Sequence, residues 1–318
     1  MKAVQILGER GSHRLALSSS LPKPVPKTTE ILIKVHAAGI TADEVSWVEV
    51  YKTASRIPGH DVSGVVEELG PGYDGPLSIG DEVFAMLDAD RGEGQAEYAL
   101  ASSKETARKP STISHAEAAA LPIPVITAWE ALSRHAKLKP RSRVLVTGAS
   151  GAVGVMVVQL AKVVFDAEVV ALASEAKHEY LRQLPSGVAE VIDYNTPGWE
   201  TKIGEVDAVI DTVGGDVLSR SWRAVKADGA VVTVADPPPR WALEKGVVPE
   251  ELAAKPHVRY VYFVLSVDAE ALSKVAAFID EGQVKALPVV EFPVDKGLEG
   301  WAYAGQRGRH GKTVINFC

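Results

Sequence analysis

Residues 144–162 read VLVTGASGAVGVMVVQLAK, an apolar run, three glycines, and then a longer apolar run. The β-branched residues before the glycines predict a strand, and the apolar spacing after them predicts an amphipathic helix beginning near Ala152. The glycines, Gly148, Gly151 and Gly154, are three residues apart. Glycines at such a turn let backbone N–H groups approach a pyrophosphate and let the helix pack closely on the strand. The turn therefore predicts a dinucleotide site; a plain tight turn into a buried helix is the alternative.

The chain around this turn alternates between strands and helices from about Thr127. After the first unit, EVVALAS precedes AKHEYLRQL, VDAVIDTVGG precedes VLSRSWRAV, and GAVVTVAD follows. This alternation is typical of parallel βαβ units and predicts an α/β fold with a doubly wound parallel sheet.

The first third of the chain has a different pattern, in which short β-rich runs are bounded by Gly, Pro or Asp. These runs are ILIKVHAAG, DVSGVVEELG, DEVFAML and QAEYALAS. They predict a mostly antiparallel, barrel-like domain. In the tail, ALSKVAAFIDEGQ predicts a helix and LPVVEFPVD a strand.

Composition excludes several classes of function. The net charge of −7 and the lack of a dense basic stripe argue against nucleic acid as a partner. No segment reaches the roughly 20 apolar residues of a membrane span, and the first residues lack the apolar run of a signal peptide. A cytoplasmic protein is therefore expected. The one cysteine, Cys318, excludes internal disulfides and a structural zinc lobe built on four cysteines.

The end of the strand after the glycine turn bears on which dinucleotide binds. An NAD site would place Asp or Glu there, about 20 residues on, to bind the ribose hydroxyls. This strand ends in Ala173 and Ser174, and Lys177 follows. A hydroxyl and a cation suit a 2′-phosphate, so NADPH is favoured over NADH. Glu175 keeps NADH open, and Ser174 could instead cap the next helix.

Several motifs together resemble the medium-chain dehydrogenase/reductase superfamily, and within it the zinc-independent, zeta-crystallin-like quinone oxidoreductases. The resemblance runs over nearly the whole chain and rests on IPGHDVSGVVEELGPG, IGDEVFAML, ITAWEAL, VLVTGASGAVG, VIDTVGG and GKTVI. It implies a GroES-like catalytic domain over residues 1–125 and 262–318. A Rossmann NADP-binding domain over residues 126–261 would be inserted in it.

The resemblance also implies that no catalytic metal is bound. Zinc-dependent members use a Cys after an early strand, the His of a GHE motif, and a second Cys. Here the first position falls near Thr41, the His is His60 followed by Asp61, and LPIPVITAW offers no thiol. One ligand of three is too few to hold zinc.

Without a metal, the chemistry shifts towards acceptors that are already electrophilic, such as a quinone, an enone or an enoyl compound. Relatives place an Asn or Tyr near the nicotinamide, and the Asn position corresponds to Thr41 here. Thr41 and Tyr51 are therefore the candidate catalytic residues, with Asp43 as a further polar group. For Tyr51, packing at the rim of the site is the alternative.

The remaining cofactor contacts are implied by the resemblance, position by position. Thr127 matches a residue near the nicotinamide, although it could simply start the helix that contains Trp129. The other expected contacts are Ser150, Gly151, Ala152, Val153, Ser174, Lys177, Tyr194, Val213, Gly214, Ala235, Phe263, Val264 and Lys312. For Tyr194 the alternative is edge packing, and for Lys312 a solvated side chain.

Three alternatives stay open at this point. The protein could reduce an enoyl or polyketide intermediate of secondary metabolism, or bind NADPH with little redox turnover. The run HVRYVYFVL could pair two subunits in a homodimer, or it could be a buried strand.

Overall fold

In the computed structural model, which describes residues 1–306 and 308–318, the chain divides into two units. The first comprises residues 1–126, 266–281 and 286–318, and the second residues 127–265 and 282–285. The second unit thus extends to residue 265 and includes the whole run HVRYVYFVL, residues 257–265. Residues 282–285 join that unit because the side-chain amide of Gln159 bonds the backbone of Lys285 at both its N–H and its carbonyl.

The strands belong to three sheets. They are β1 (Ala3–Leu7), β2 (Arg14–Ser18), β3 (Ile31–Gly39), β4 (Asp61–Leu69), β5 (Glu82–Met86), β6 (Tyr98–Ala101), β7 (Thr106–Arg108), β8 (Arg143–Thr147), β9 (Glu168–Ala173), β10 (Glu190–Asp193), β11 (Val206–Asp211), β12 (Val225–Thr233), β13 (Arg259–Tyr262), β14 (Val289–Pro293) and β15 (Lys312–Asn316).

The α-helices connect these strands. They are α1 (His115–Ala118), α2 (Pro122–Glu130), α3 (Ala152–Phe165), α4 (His178–Arg182), α5 (Trp199–Lys202), α6 (Gly215–Ser221), α7 (Arg240–Leu243), α8 (Ala269–Asp280) and α9 (Gly297–Ala304). A π-helical turn, Ala131–His135, extends α2. None of the described helices is long and apolar enough to span a bilayer.

The second unit contains the doubly wound sheet that the sequence predicts. Its six strands lie in the order β10-β9-β8-β11-β12-β13, and all neighbouring pairs are parallel. Counted from the first strand of the unit, this order is 3-2-1-4-5-6, the arrangement of dinucleotide-binding sheets. The central strands β8 and β9 are buried at nearly every position, as expected for a sheet covered on both faces. This confirms the predicted α/β fold.

The first unit contains the mostly antiparallel β-domain. Its main sheet has the order β14-β15-β3-β4-β5-β7, with β6 also paired to β3. Only the β14 and β15 pair is parallel in this sheet. A separate antiparallel hairpin joins β1 and β2. The sheet packs a core around Ile33, Val62 and Leu87, in agreement with the predicted barrel-like domain.

Two sequence expectations need correction. Helix α2 begins at Pro122, so Thr127 lies inside the helix and does not start it. The strand within HVRYVYFVL ends at Tyr262, so Phe263 and Val264 follow the strand and are not part of it. β13 pairs with β12 from Arg259 to Tyr262, so these four residues form the last strand of the parallel sheet.

Candidate functional site

The glycine turn between β8 and α3 has a geometry that favours glycine at two positions. Gly148 has φ +58°, in the left-handed region that favours glycine. A Cβ on Gly154 would lie 2.2 Å from the carbonyl oxygen of Gly148. Helix α3 therefore packs directly against the turn, as the sequence predicts for the third glycine.

The N-terminus of α3 directly follows this turn and is accessible. Gly151 is its N-cap residue, and no side chain caps the first N–H groups. Gly151 is exposed, and Ser150, Ala152 and Val153 are partly exposed. The first N–H groups of a helix and the positive end of its dipole form an anion site. The turn thus fits a pyrophosphate.

All the predicted cofactor residues except Thr127 and Lys312 follow the carboxyl ends of the parallel strands. They are residues 150–153 after β8, Ser174 and Lys177 after β9, Tyr194 after β10, Val213 and Gly214 after β11, Ala235 after β12, and Phe263 and Val264 after β13. Because all six strands are parallel, these segments lie along one edge of the sheet. This edge is where doubly wound sheets bind ligands.

The residues after β9 leave two polar groups accessible. Ser174 precedes the 3₁₀ turn Glu175–Lys177, but its hydroxyl does not cap that turn. The Lys177 ammonium is partly exposed and makes no ion pair with a described residue. Both groups could bind a 2′-phosphate. Glu175, between them in sequence, is exposed and could instead bind the ribose hydroxyls of NADH.

The remaining predicted contacts of the second unit differ in their accessibility. Tyr194 and Val213 are 46% and 47% exposed, and Val264 is 69% exposed. Thr127, by contrast, is 4% exposed and Phe263 is 9% exposed. Phe263 packs on the His135 ring at a centroid distance of 4.3 Å.

Lys312 is bound within the first unit. Its Nζ lies 3.0 Å from Asp61 Oδ2 and donates to Thr41 Oγ1 at 3.2 Å. Asp61 is completely buried, and its other oxygen accepts the N–H of Ile123 at 2.7 Å. Burial raises the pKa of Asp61, and the Lys312 ammonium opposes this shift. The structure thus joins Lys312, predicted as a cofactor contact, to the candidate catalytic residue Thr41.

A second buried pair, Glu44 and His60, adjoins this cluster in sequence. His60 Nδ1 lies 2.7 Å from Glu44 Oε1, and His60 Nε2 lies 3.3 Å from the carbonyl oxygen of Ala89. Glu44 also accepts the N–H of Gly59. Burial disfavours the imidazolium, but the Glu44 carboxylate, with smaller effects of the Ala89 carbonyl and Asp61, raises the pKa of His60 overall.

This arrangement does not fit a catalytic zinc ion. Both ring nitrogens of His60 face oxygen atoms of the protein, and the neighbouring Asp61 is paired with an ammonium group. Thr41, at the first ligand position, receives the Lys312 hydrogen bond. No group of three or more His, Cys, Asp or Glu side chains that could hold a metal occurs among the described residues.

Tyr51 lies apart from the Lys312 hydrogen bonds. Its hydroxyl donates to the carbonyl oxygen of Val45 at 2.7 Å. Burial raises the pKa of Tyr51. The Asp43 carboxylate accepts from Trp47 Nε1 at 3.0 Å.

Sequence reasoning did not single out two buried carboxylates, Asp61 and Asp211. Asp61 follows His60 directly, and Asp211 ends β11 in VIDTVGG. An acidic residue next to an apolar strand is the signal that could have identified both, because a buried carboxylate needs partners.

Comparison with known proteins gives consistent matches over both units. Residues 27–122 match the family described as alcohol dehydrogenase GroES-like domain, and residues 186–315 the family described as zinc-binding dehydrogenase. A chloroplast envelope quinone oxidoreductase homolog of Arabidopsis thaliana is 32% identical, over 93% of this chain and 92% of its own length. A 2-methylene-furan-3-one reductase of Solanum lycopersicum is 34% identical, over 95% of this chain and 75% of its own.

A solved structure agrees with these relatives. The quinone oxidoreductase from Coxiella burnetii superposes with a TM-score of 0.84 at 28% identity, covering 100% of this chain and 99% of its own.

Proposed function

The chain belongs to the medium-chain dehydrogenase/reductase superfamily and is an oxidoreductase, and we propose that it transfers hydride from NADPH to a quinone or an α,β-unsaturated carbonyl compound. The glycine turn at the carboxyl end of β8 carries the cofactor part of the proposal, because its geometry suits a pyrophosphate. The acceptor part is supported by the names of two relatives, a quinone oxidoreductase homolog and a 2-methylene-furan-3-one reductase.

The choice of NADPH over NADH rests on the segment after β9. Ser174 and Lys177 present a hydroxyl and a cation there, and the strand itself ends in Ala173. An acidic residue at that strand end would bind the ribose hydroxyls of NADH. The exposed Glu175 in the same segment favours NADH.

The hydrogen bonds of Thr41 indicate how this chain could assist the reaction. When bound, the reduced nicotinamide supplies a hydride to an electrophilic carbon of the acceptor. Negative charge then develops on the acceptor oxygen and needs a hydrogen-bond donor. Thr41 Oγ1 accepts from Lys312, so its own O–H is left to donate to that oxygen.

Asp61 keeps the Lys312 ammonium in place for this role. The carboxylate lies 3.0 Å from Lys312 Nζ and is itself held by the N–H of Ile123. Tyr51 is the second candidate donor. Its hydroxyl already donates a hydrogen bond to the Val45 carbonyl, so this hydrogen bond would have to break before Tyr51 could donate to an acceptor.

The reaction so proposed involves no metal. The surroundings of His60 argue against a zinc site, although the family matched by residues 186–315 is described as zinc-binding. A quinone or enone accepts hydride at a carbon that its own carbonyl group activates. Hydrogen bonds can therefore stabilise the negative charge on its oxygen in place of a Lewis-acid metal ion.

The acceptor specificity can be tested by following NADPH oxidation in the near ultraviolet against quinones, enones and enoyl thioesters. We expect turnover with quinones or enones, and a larger kcat/KM with NADPH than with NADH. Replacement of Lys177 by alanine should lower kcat/KM for NADPH and leave that for NADH unchanged. Turnover confined to enoyl thioesters would favour an enoyl reductase, and NADPH binding without turnover would favour a binding protein.

Two further parts of the sequence prediction stay predictions. β13 pairs with β12 alone among the described strands, so its other side could add a strand from a second copy in a homodimer. A cytoplasmic location likewise remains an expectation.

A further inference from the structure

A buried carboxylate in the second unit has no role in the proposed reaction. Asp211 is the last residue of β11, the strand beside β8 in the parallel sheet. It is completely buried. It makes no ion pair with any described residue. A buried charge is unfavourable unless hydrogen bonds satisfy it, so its donors indicate what it does.

Donors from three strand ends converge on this carboxylate. Thr147, at the end of β8, donates its hydroxyl to Oδ1 at 2.6 Å. Thr233, at the end of β12, donates its hydroxyl to Oδ2 at 2.7 Å. The backbone N–H of Gly214 donates to Oδ2 at 3.0 Å, and that of Val213 to Oδ1 at 3.3 Å. One side chain therefore connects the three neighbouring strands β8, β11 and β12 where they end.

Both threonines extend these connections into the loops that follow. Thr147 Oγ1 accepts the N–H of Thr212 at 3.2 Å, and the Thr147 carbonyl accepts the Thr212 hydroxyl at 3.0 Å. Thr233 Oγ1 accepts the N–H of Ala235 at 3.1 Å. Each threonine hydroxyl thus donates to Asp211 and accepts from the backbone of a loop.

The loops after β8, β11 and β12 are also closely packed against one another. A Cβ on Gly148 would lie 2.4 Å from Thr212 Oγ1, and a Cβ on Gly214 would lie 2.8 Å from the Cβ of Ala235. A shift of one loop must therefore displace its neighbour. Residues 150–153, Val213, Gly214 and Ala235, the predicted cofactor contacts, lie on these loops or directly after them.

We propose that Asp211 is the positioning residue that fixes the loops after β8, β11 and β12 for dinucleotide binding. Its carboxylate holds the ends of these loops through Thr147, Thr233 and the N–H of Gly214. The inference rests on the proposed function, because contact between these loops and NADPH is part of that proposal.

Two variants test the inference. Asp211→Asn replaces one acceptor oxygen of the carboxylate, and Thr147→Val removes the hydroxyl that donates to it. Asparagine keeps one acceptor oxygen, but its NH₂ faces groups that themselves donate. Valine keeps the shape of threonine and loses the hydroxyl. Thr147→Ser restores the hydroxyl. Asp207→Asn is the matched control, because Asp207 lies on the same strand at its other end and pairs with Lys226.

The measurement is the dissociation constant of NADPH by fluorescence titration, with thermal unfolding of each cofactor-free variant beside it. We expect Asp211→Asn and Thr147→Val to raise the constant about 10-fold or more, the effect of losing a hydrogen bond to a charged group. Thr147→Ser and Asp207→Asn should stay within about twofold. The KM for NADPH should rise with the dissociation constant, and the KM for the acceptor should not.

The outcomes separate this inference from the proposed function. Wild-type affinity in folded Asp211→Asn and Thr147→Val, or an equal loss in Asp207→Asn, would overturn the inference and leave the proposed function standing. If Asp211→Asn does not fold, the contrast between Thr147→Val and Thr147→Ser decides. Failure of the wild-type protein to bind NADPH would overturn the proposed function and the inference together.

Discussion

The Thr41 hydroxyl is the group whose loss should reduce turnover most. In Thr41→Val the shape is kept, but the acceptor oxygen loses its proposed donor. Removal of one such donor lowers kcat about 100-fold or more, and the KM for NADPH should not change. Steady-state kinetics with the preferred acceptor measure both constants. Thr41→Ser is the control that keeps the hydroxyl, and wild-type kcat in Thr41→Val would exclude this role.

Lys312 and Asp61 should depend on each other for stability. In Lys312→Met the buried carboxylate loses the ammonium 3.0 Å away, which should cost about 3–5 kcal/mol in the free energy of unfolding. The double variant Lys312→Met/Asp61→Asn removes both charges and keeps an acceptor for the N–H of Ile123, so it should recover most of this loss. Urea denaturation compares the variants. Equal stability of single and double variants would argue against the pairing.

His115 should make the protein less stable in mild acid. Its Nδ1 lies 2.8 Å from Ser63 Oγ, and burial and the neighbouring His36 lower its pKa from the ordinary 6.5 to about 4. The unfolded chain therefore binds a proton at His115 that the folded chain does not. Above about pH 6.5 the free energy of unfolding does not depend on His115, and it falls by about 3 kcal/mol as the pH decreases to about 4.

A comparison of the wild-type protein with His115→Gln isolates this contribution. Urea unfolding at a series of pH values should show a steeper loss of stability between pH 6.5 and pH 4 in the wild-type protein. Parallel curves for the two proteins would show that His115 does not titrate as described.

Two glycines of the turn between β8 and α3 should have different roles, Gly154 in packing and Gly151 in NADPH binding. In Gly154→Ala the new Cβ would meet the Gly148 oxygen at 2.2 Å, so α3 must shift, at about 1–3 kcal/mol. In Gly151→Ala the nearest atom lies at 3.2 Å and φ is −75°, which alanine adopts readily. Gly151→Ala should therefore remain folded but bind NADPH more weakly.

Chemical denaturation and NADPH titration of both variants check this distinction. We expect the larger loss of stability in Gly154→Ala. The opposite order of stabilities would mean that α3 does not pack on the turn as described.

Strands and helices of this protein were largely predictable, because local patterns determine them. The alternation of strand and helix around residues 144–162 predicted the parallel sheet, and β-branched runs predicted β3 and β4. Local signals failed at boundaries. The TAW segment resembles a helix start, yet Pro122 begins α2, since proline is favoured in the first turn of a helix.

The polar clusters were not predictable in the same way, because their members are distant in sequence. Asp61 and Lys312 are 251 positions apart, and Asp211 and Thr147 are 64 apart. No periodicity relates such residues, so only the folded chain brings them together. The family resemblance led to the prediction of Thr41 and Lys312 as site residues, but it did not indicate that these two are hydrogen-bonded.

As a whole molecule, this chain is proposed to reduce an electrophilic acceptor with NADPH and without a metal ion. The most direct test is NADPH consumption by protein that has been dialysed against a chelator and shown by elemental analysis to lack zinc. We expect the same kcat with quinones or enones before and after metal removal. Loss of turnover on removal, with recovery on addition of zinc, would contradict it.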